Sequence, residues 1–304
     1  MATYIPEIIK FTLKVIKPYR FLILGKVLIC LVWALDLNMR PYMLKVLINT
    51  LHMITFTDSQ QDFLWPSLIY ILISFLSLLA SQFYYYINIY LISPLRRDIG
   101  CYLVDGIMRR SQYFFQSHFI GSLSSKIENV MGGIPDLLQV CIDRLLGTVL
   151  SLGIALYMVW QISFLFGLAM IFWVFFFLIL SSKLSLKTQQ LSIQTAEARA
   201  TVTGQIVDTL SNITSVFLFA GHEKEKERIK KGLNEYVQAD QKRSRRFMYL
   251  ITGQGWIFFV YQTITFLFLL YGFGQGYVTV GDFAFVLALN SSLIMCLENL
   301  FNDL

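Results

Sequence analysis

Residues 64–92 read LWPSLIYILISFLSLLASQFYYYINIYLI, without a single Lys, Arg, Asp or Glu. Roughly 20 apolar residues, rising about 1.5 Å each, suffice for a helix to cross the hydrocarbon of a bilayer, and this block is longer. Lipid offers no partner for backbone N–H and C=O groups, so such a block has to be a helix. The rest of the chain has the same character. Of its 304 residues, 56% are hydrophobic and 14% charged, and the mean hydropathy is +0.60. A soluble domain carries roughly 25% charged residues. The fold class read from this is an all-α membrane protein.

Apolar blocks predict six spans, at 21–48, 64–92, 135–160, 162–182, 247–271 and 278–304, after an interfacial elbow helix in residues 1–20. Basic residues are absent from 46–95, from 145–182 and from 247–304. They flank the apolar blocks on one side, which the positive-inside rule places in the cytoplasm, and an even number of spans returns both termini there. The net charge of +6 is therefore a membrane-orienting charge rather than a nucleic-acid footprint. Residues 1–20 mix apolar and basic positions without a small-residue cleavage site, so they do not read as a removable signal peptide. The four cysteines, Cys30, Cys101, Cys141 and Cys296, stand singly, and His52, His118 and His222 lie in different segments, so no metal site is expected.

The outer connections are short: 49–63, with Asp58 and Asp62, a tight turn near Gln161, and the Gly-rich 272–277. The inner ones, 93–134 and 183–246, are long and rich in helix formers, and they read as spans continuing into the cytoplasm. EKEKERIKK at 223–231 alternates charge at helical neighbour spacing and reads as a solvated helix face. Lys242, Arg243, Arg245 and Arg246 follow just before the fifth span, where contact with anionic lipid is expected. With no repeat, low-complexity linker or composition shift, residues 21–304 read as one membrane domain.

Residues 93–130 read SPLRRDIGCYLVDGIMRRSQYFFQSHFIGSLSSKIENV. This stretch resembles the transmembrane domain of exporter-type ABC transporters, in which a PLRRDIR stretch leads to an aromatic-Phe-Asp element and a G-x-L-x-S-R-[IL] segment. The second inner connection, EARATVTGQIVDTLSNITSVFLFAGHEKEKER at 197–228, is similar to the family's second such stretch, with Gly204, Ile206, Val207, Leu210, Ile213, Val216, Phe219 and Glu223 in matching positions. VTVGDFAFVLAL at 278–289 looks like the opening of the family's last span, with Gly281 and Asp282 at the positive end of the helix. The resemblance implies coupling helices that dock into an ATPase. It assigns that contact to Phe114, Phe115, Gln116, Gly121, Ser122, Leu123, Asp208, Leu210, Val216 and Phe219. It also implies a second transmembrane subunit, homo- or heterodimeric, a cargo that is amphipathic or hydrophobic, and a bacterial inner (plasma) membrane as the location.

Several positions depart from the family pattern: Gly100 replaces an Arg, Gln116 an acid, Val130 the Asp of an Asn-Asp pair, and Phe217 a basic residue. A larger departure is that no G-x-x-x-x-G-K-[ST] phosphate loop and no LSGGQ-type signature occur. The lone Gly25-Lys26 pair lies inside the first apolar block. No catalytic residue and no cofactor is expected in this chain; Mg-ATP would sit on a partner nucleotide-binding domain, whether separately encoded or lost by truncation. The alternative function is a non-transporting remnant or accessory membrane protein. An ion channel would need a re-entrant segment or a regular Arg series in one span, and neither is seen.

Charges inside hydrocarbon cost about 2.5–3.5 kcal/mol each on insertion scales, so polar residues in the spans are candidates for the substrate cavity. These are Asp36, Arg40, Gln82, Asn88, Gln262, Asn290 and Glu298. Asp36 and Arg40 stand at i,i+4, which suits either a structural intrahelical pair or a polar wall of a substrate path. Tyr84, Tyr85, Tyr86 and Tyr90 suit stacking on a hydrophobic substrate or anchoring at an interface. The glycosylation patterns at 212–214 and 290–292 fall in cytoplasmic and intramembrane segments and are read as accidental.

Overall fold

The computed structural model describes the backbone of residues 5–53, 60–117 and 120–302, and every element in those ranges is helical. Helix α1, Ile5–Ile16, leads through a 3-10 turn, Lys17–Tyr19, into α2, Arg20–Met53. Next come α3, Gln60–Met108, the short α4, Gln112–Ser117, and α5, Ile120–Gln139, which continues through a π-helical segment, Val140–Leu146, into α6, Gly147–Ile162. The chain then forms α7, Phe164–Ser211, the short α8, Ile213–Leu218, α9, His222–Gly274, and α10, Val280–Asn302. Among the described residues, six helical runs are long and apolar enough to cross a membrane, in the order predicted.

The long inner connections are helical extensions of the spans: α3 runs to Met108 and α7 to Ser211. The tight turn expected near Gln161 falls at Ser163, which leaves the helix with φ −159 and ψ 135. Its Oγ then accepts the backbone N–H of Leu165 at 3.3 Å, so Ser163 ends one helix and caps the next. The first short tip helix, α4, begins at Gln112 and carries Phe114, Phe115 and Gln116. Expectations on Asp58, His118 and the 303–304 end lie outside the described residues.

Two compact units divide the helices. The first comprises residues 1–167 and 266–303, and within it α2 packs against α3, α6 and α10. At the foot of α3, Val15, Leu95, Ile99 and Ile134 form a buried apolar cluster that fastens α1 to α3 and α5. Tyr19 adds a hydrogen bond to Asp98 at 2.6 Å. The second unit comprises 168–265, where α7 and α9 run antiparallel and meet through side chains. Trp173 stacks on Tyr261 at 4.5 Å, and Gln254 Nε2 donates to Ser181 Oγ at 2.9 Å. Lower down, α9 bears on α7 at Gly232, where an added Cβ would lie 2.5 Å from Gln205. Long apolar side chains such as Leu68, Ile71, Phe75 and Phe83 stand exposed along α3, a surface suited to lipid rather than water.

Candidate functional site

Helix α2 carries polar groups at three levels, which pair with one another and with residues of the third span, α3 and α10. Lys26 is wholly buried, with its ammonium 3.0 Å from Asp143 Oδ2. The Tyr84 hydroxyl donates to that same carboxylate oxygen at 2.7 Å, and Lys26 lies 5.0 Å over the Tyr84 ring. Cys30 donates to the Ile142 carbonyl at 3.5 Å. Asp143 sits within the π-helical segment, whose wider turn is a common feature of functional sites. Lys26, Cys30, Tyr84 and Asp143 thus join α2, α3 and the third span in one polar cluster.

Outward along α2, Arg40 donates through Nε and Nη2 to Asp36 at 2.5 and 2.8 Å, a bidentate pair, and Ser77 of α3 donates to Asp36 at 2.9 Å. Towards the C-terminal end of α2, Lys45 pairs with Asp282 of α10 at 2.5 Å. Asp282 also accepts from the Thr279 N–H at 3.0 Å and hydroxyl at 2.6 Å, while Thr279 Oγ1 accepts the Asp282 N–H at 3.1 Å. This reciprocal arrangement is a capping box at the start of α10. Asn49 Oδ1 accepts the Gly281 N–H at 2.9 Å, and a Cβ at position 281 would strike both the Lys45 carbonyl and Asn49. Only glycine allows that approach.

A cavity of about 610 Å³ opens beside the inner cluster, lined by Trp33, Tyr84, Asp136, Gln139, Asp143 and Arg144. Its wall mixes an aromatic pair, Trp33 on Tyr84 at 4.9 Å, with groups of both charges. Among the sequence-predicted cavity residues, the structure brings Asp36 and Arg40 together. Gln82 is exposed on α3, and Asn88 is half-buried. Asn290 is wholly enclosed, Glu298 is half-buried, and Gln262 belongs to the second unit. Sequence reasoning missed Lys26 and Asp143. The signal was a lysine inside an apolar block, which requires an acid from another span.

At the opposite end of α7, Asp208 binds Arg228 at 3.0 Å, and Arg228 reaches Glu225 at 3.2 Å. These contacts pin the turn that carries α8. Ala220 closes α8 with φ 51, and the Gly221 N–H returns to the Val216 carbonyl at 2.9 Å. The fixed turn presents Phe217, Leu218 and Phe219 to the outside, Phe219 being 84% exposed. Leu210 is also exposed, and Val216 is half-buried. On α4, Tyr113 is exposed and Phe114 half-buried, while Leu123 on α5 is half-buried. The side chains of Phe115, Gln116, Gly121 and Ser122 lie outside the described residues. On the extension of α3 beyond residue 92, the Tyr19 hydroxyl and then Arg97 hold the Asp98 carboxyl below its ordinary value. Among the described residues, no group of His, Cys, Asp and Glu is placed to hold a metal ion, and the four cysteines are free.

The sequence model of the ABC transporter transmembrane region matches residues 27–297. No curated protein sequence matches the chain. Among solved structures, a bacterial Atm1-family ABC exporter with ATP bound superposes with a TM-score of 0.77 at 20% identity, over 93% of this chain and 50% of the exporter chain. The protein thus spans half the length of that relative, and at this identity the likeness is one of fold.

Proposed function

Since the chain belongs to the family of ABC transporter transmembrane regions, we propose that it is the permease subunit of an ATP-driven exporter carrying an amphipathic or hydrophobic solute. It is an integral, multi-pass membrane protein. The observation that carries the proposal is the pair of helical extensions, α7 and α9, that end in a pinned turn exposing Phe217, Leu218 and Phe219. Three adjacent large apolar side chains held in water at a helix tip suit burial in a partner protein. The partner in this reading is a nucleotide-binding subunit carrying Mg-ATP, which docks on α8 and α4. A second transmembrane subunit completes the translocation path, and the membrane is the bacterial inner membrane with both termini cytoplasmic. Mixed aromatic and charged walls around Trp33, Tyr84 and Asp143 suit an amphipathic cargo.

Affinity capture of the tagged protein from native membranes tests the reading. A nucleotide-binding subunit should be recovered with the unaltered protein and lost on Phe219→Glu, with the helix content unchanged. Failure to recover any nucleotide-binding partner would favour the accessory or remnant reading instead.

A further inference from the structure

Between α7 and α9, within the second unit, lies a groove of about 440 Å³ lined by Phe172, Trp173, Phe176, Trp256, Val260 and Ile264. Its floor is the Trp173–Tyr261 stack, and Phe172 and Trp256 stand exposed along its rims. The two helices carry the groove's face onward to basic residues. On α7, Lys183 and Lys187 follow Phe176 by two and three helical turns, at about 3.6 residues per turn. On α9, Arg246 precedes Ile257 by about three turns and Lys242 precedes Val260 by about five. All four therefore fall on the groove's own face of their helices.

Among the described residues, no acid is positioned to neutralise them locally. Asp and Glu are absent from 144–196 and from 241–281, and the neighbouring Asp240 is taken by Arg243 at 2.7 Å. Lys183, Lys187 and Lys242 are exposed and Arg246 is half-buried. The axial distances also fit a lipid. Phe176 to Lys183 is about 10 Å along α7 and Trp256 to Arg246 about 15 Å along α9, at 1.5 Å per residue. The hydrocarbon of one leaflet is about 15 Å deep. Gly253 carries no side chain on that face, and Leu184 of α7 comes within 3.7 Å of the place its Cβ would take.

We propose that this hairpin holds an anionic phospholipid, with an acyl chain in the aromatic groove and its phosphate headgroup on Lys183, Lys187, Lys242 and Arg246. The site requires neither nucleotide nor partner protein, so it stands apart from the transport reading. A full-length variant with Trp33, Trp65 and Trp160 changed to Phe keeps Trp173 and Trp256 as contact reporters. It is reconstituted into phosphatidylcholine vesicles containing a minor fraction of either acyl-brominated phosphatidylglycerol or acyl-brominated phosphatidylcholine, and tryptophan quenching is measured.

Brominated phosphatidylglycerol should quench preferentially, with roughly a fivefold gain in relative affinity for each basic residue that meets the headgroup. The preference should fall to near unity when Lys183, Lys187, Lys242 and Arg246 are all changed to Gln. The two-site variant K183Q/R246Q should already lose most of it, with helix content checked by circular dichroism. Equal quenching by the two lipids, or a preference that survives the substitutions, overturns the site. So does absence of quenching by either lipid, the result expected if a second copy of the chain covers the groove.

Discussion

The ammonium of Lys26 and the carboxylate of Asp143 lie 3.0 Å apart, the first wholly buried and the second 14% exposed. The Tyr84 hydroxyl binds the same carboxylate oxygen. Breaking a buried pair strands one ion, whereas replacing both ions with apolar residues of similar volume is often neutral.

Lys26→Met should therefore destabilise the protein by about 3–5 kcal/mol. The double change K26M/D143L should lie much closer to the unaltered protein. Thermal unfolding in nanodiscs compares the two, and equal losses would mean that the pair is not what holds these helices.

The same logic applies more weakly to Asp36 and Arg40, because Arg40 is 40% exposed and Ser77 gives Asp36 a second donor. Arg40→Met should cost about 1–3 kcal/mol, the scale of an unsatisfied partner. Adding Asp36→Leu should recover part of it. A double variant less stable than the single one would show that Asp36 acts through groups other than Arg40.

Gly281→Ala tests the closeness of α2 to α10. A methyl there meets the Lys45 carbonyl and comes within 2.5 Å of Asn49 Oδ1, so overpacking of about 1–3 kcal/mol is expected. Combining it with Asn49→Ala should relieve only part of the loss, since the backbone carbonyl of Lys45 stays in place. Unaltered stability of Gly281→Ala would show that the helices separate freely at that end.

Lys226→Cys reports the orientation of the helical extensions. Its side chain is 65% exposed near the α8 turn, and the basic-residue distribution puts that turn in the cytoplasm. A membrane-impermeant maleimide should label it only after permeabilisation. Labelling in intact cells would reverse the topology.

Much of the fold was legible because its signal is local. Charge-free runs such as 64–92 declare helices wherever they occur, and the basic residues between them declare sides. The i,i+4 spacing of Asp36 and Arg40 was legible for the same reason, since a single helix brings the two together. Lys26 and Asp143 were not, because their proximity depends on how the first and third spans pack and on a π-turn that no periodicity announces. Thr279 and Asp282 lie between these cases: the helix start could be read from Gly281 and Asp282, but the reach of Lys45 to that acid could not.

The two lysines of α2 have a consequence for how the protein is made. Lys26 emerges from the ribosome long before Asp143, and Lys45 long before Asp282. At about 5–20 residues per second, the first of these waits is on the order of ten seconds and the second about twice as long. Throughout that time the first helix carries cations whose acids do not yet exist. Its charge pairing is therefore completed only by the third and sixth helices, so a nascent chain stalled before Asp143 holds Lys26 without its acid.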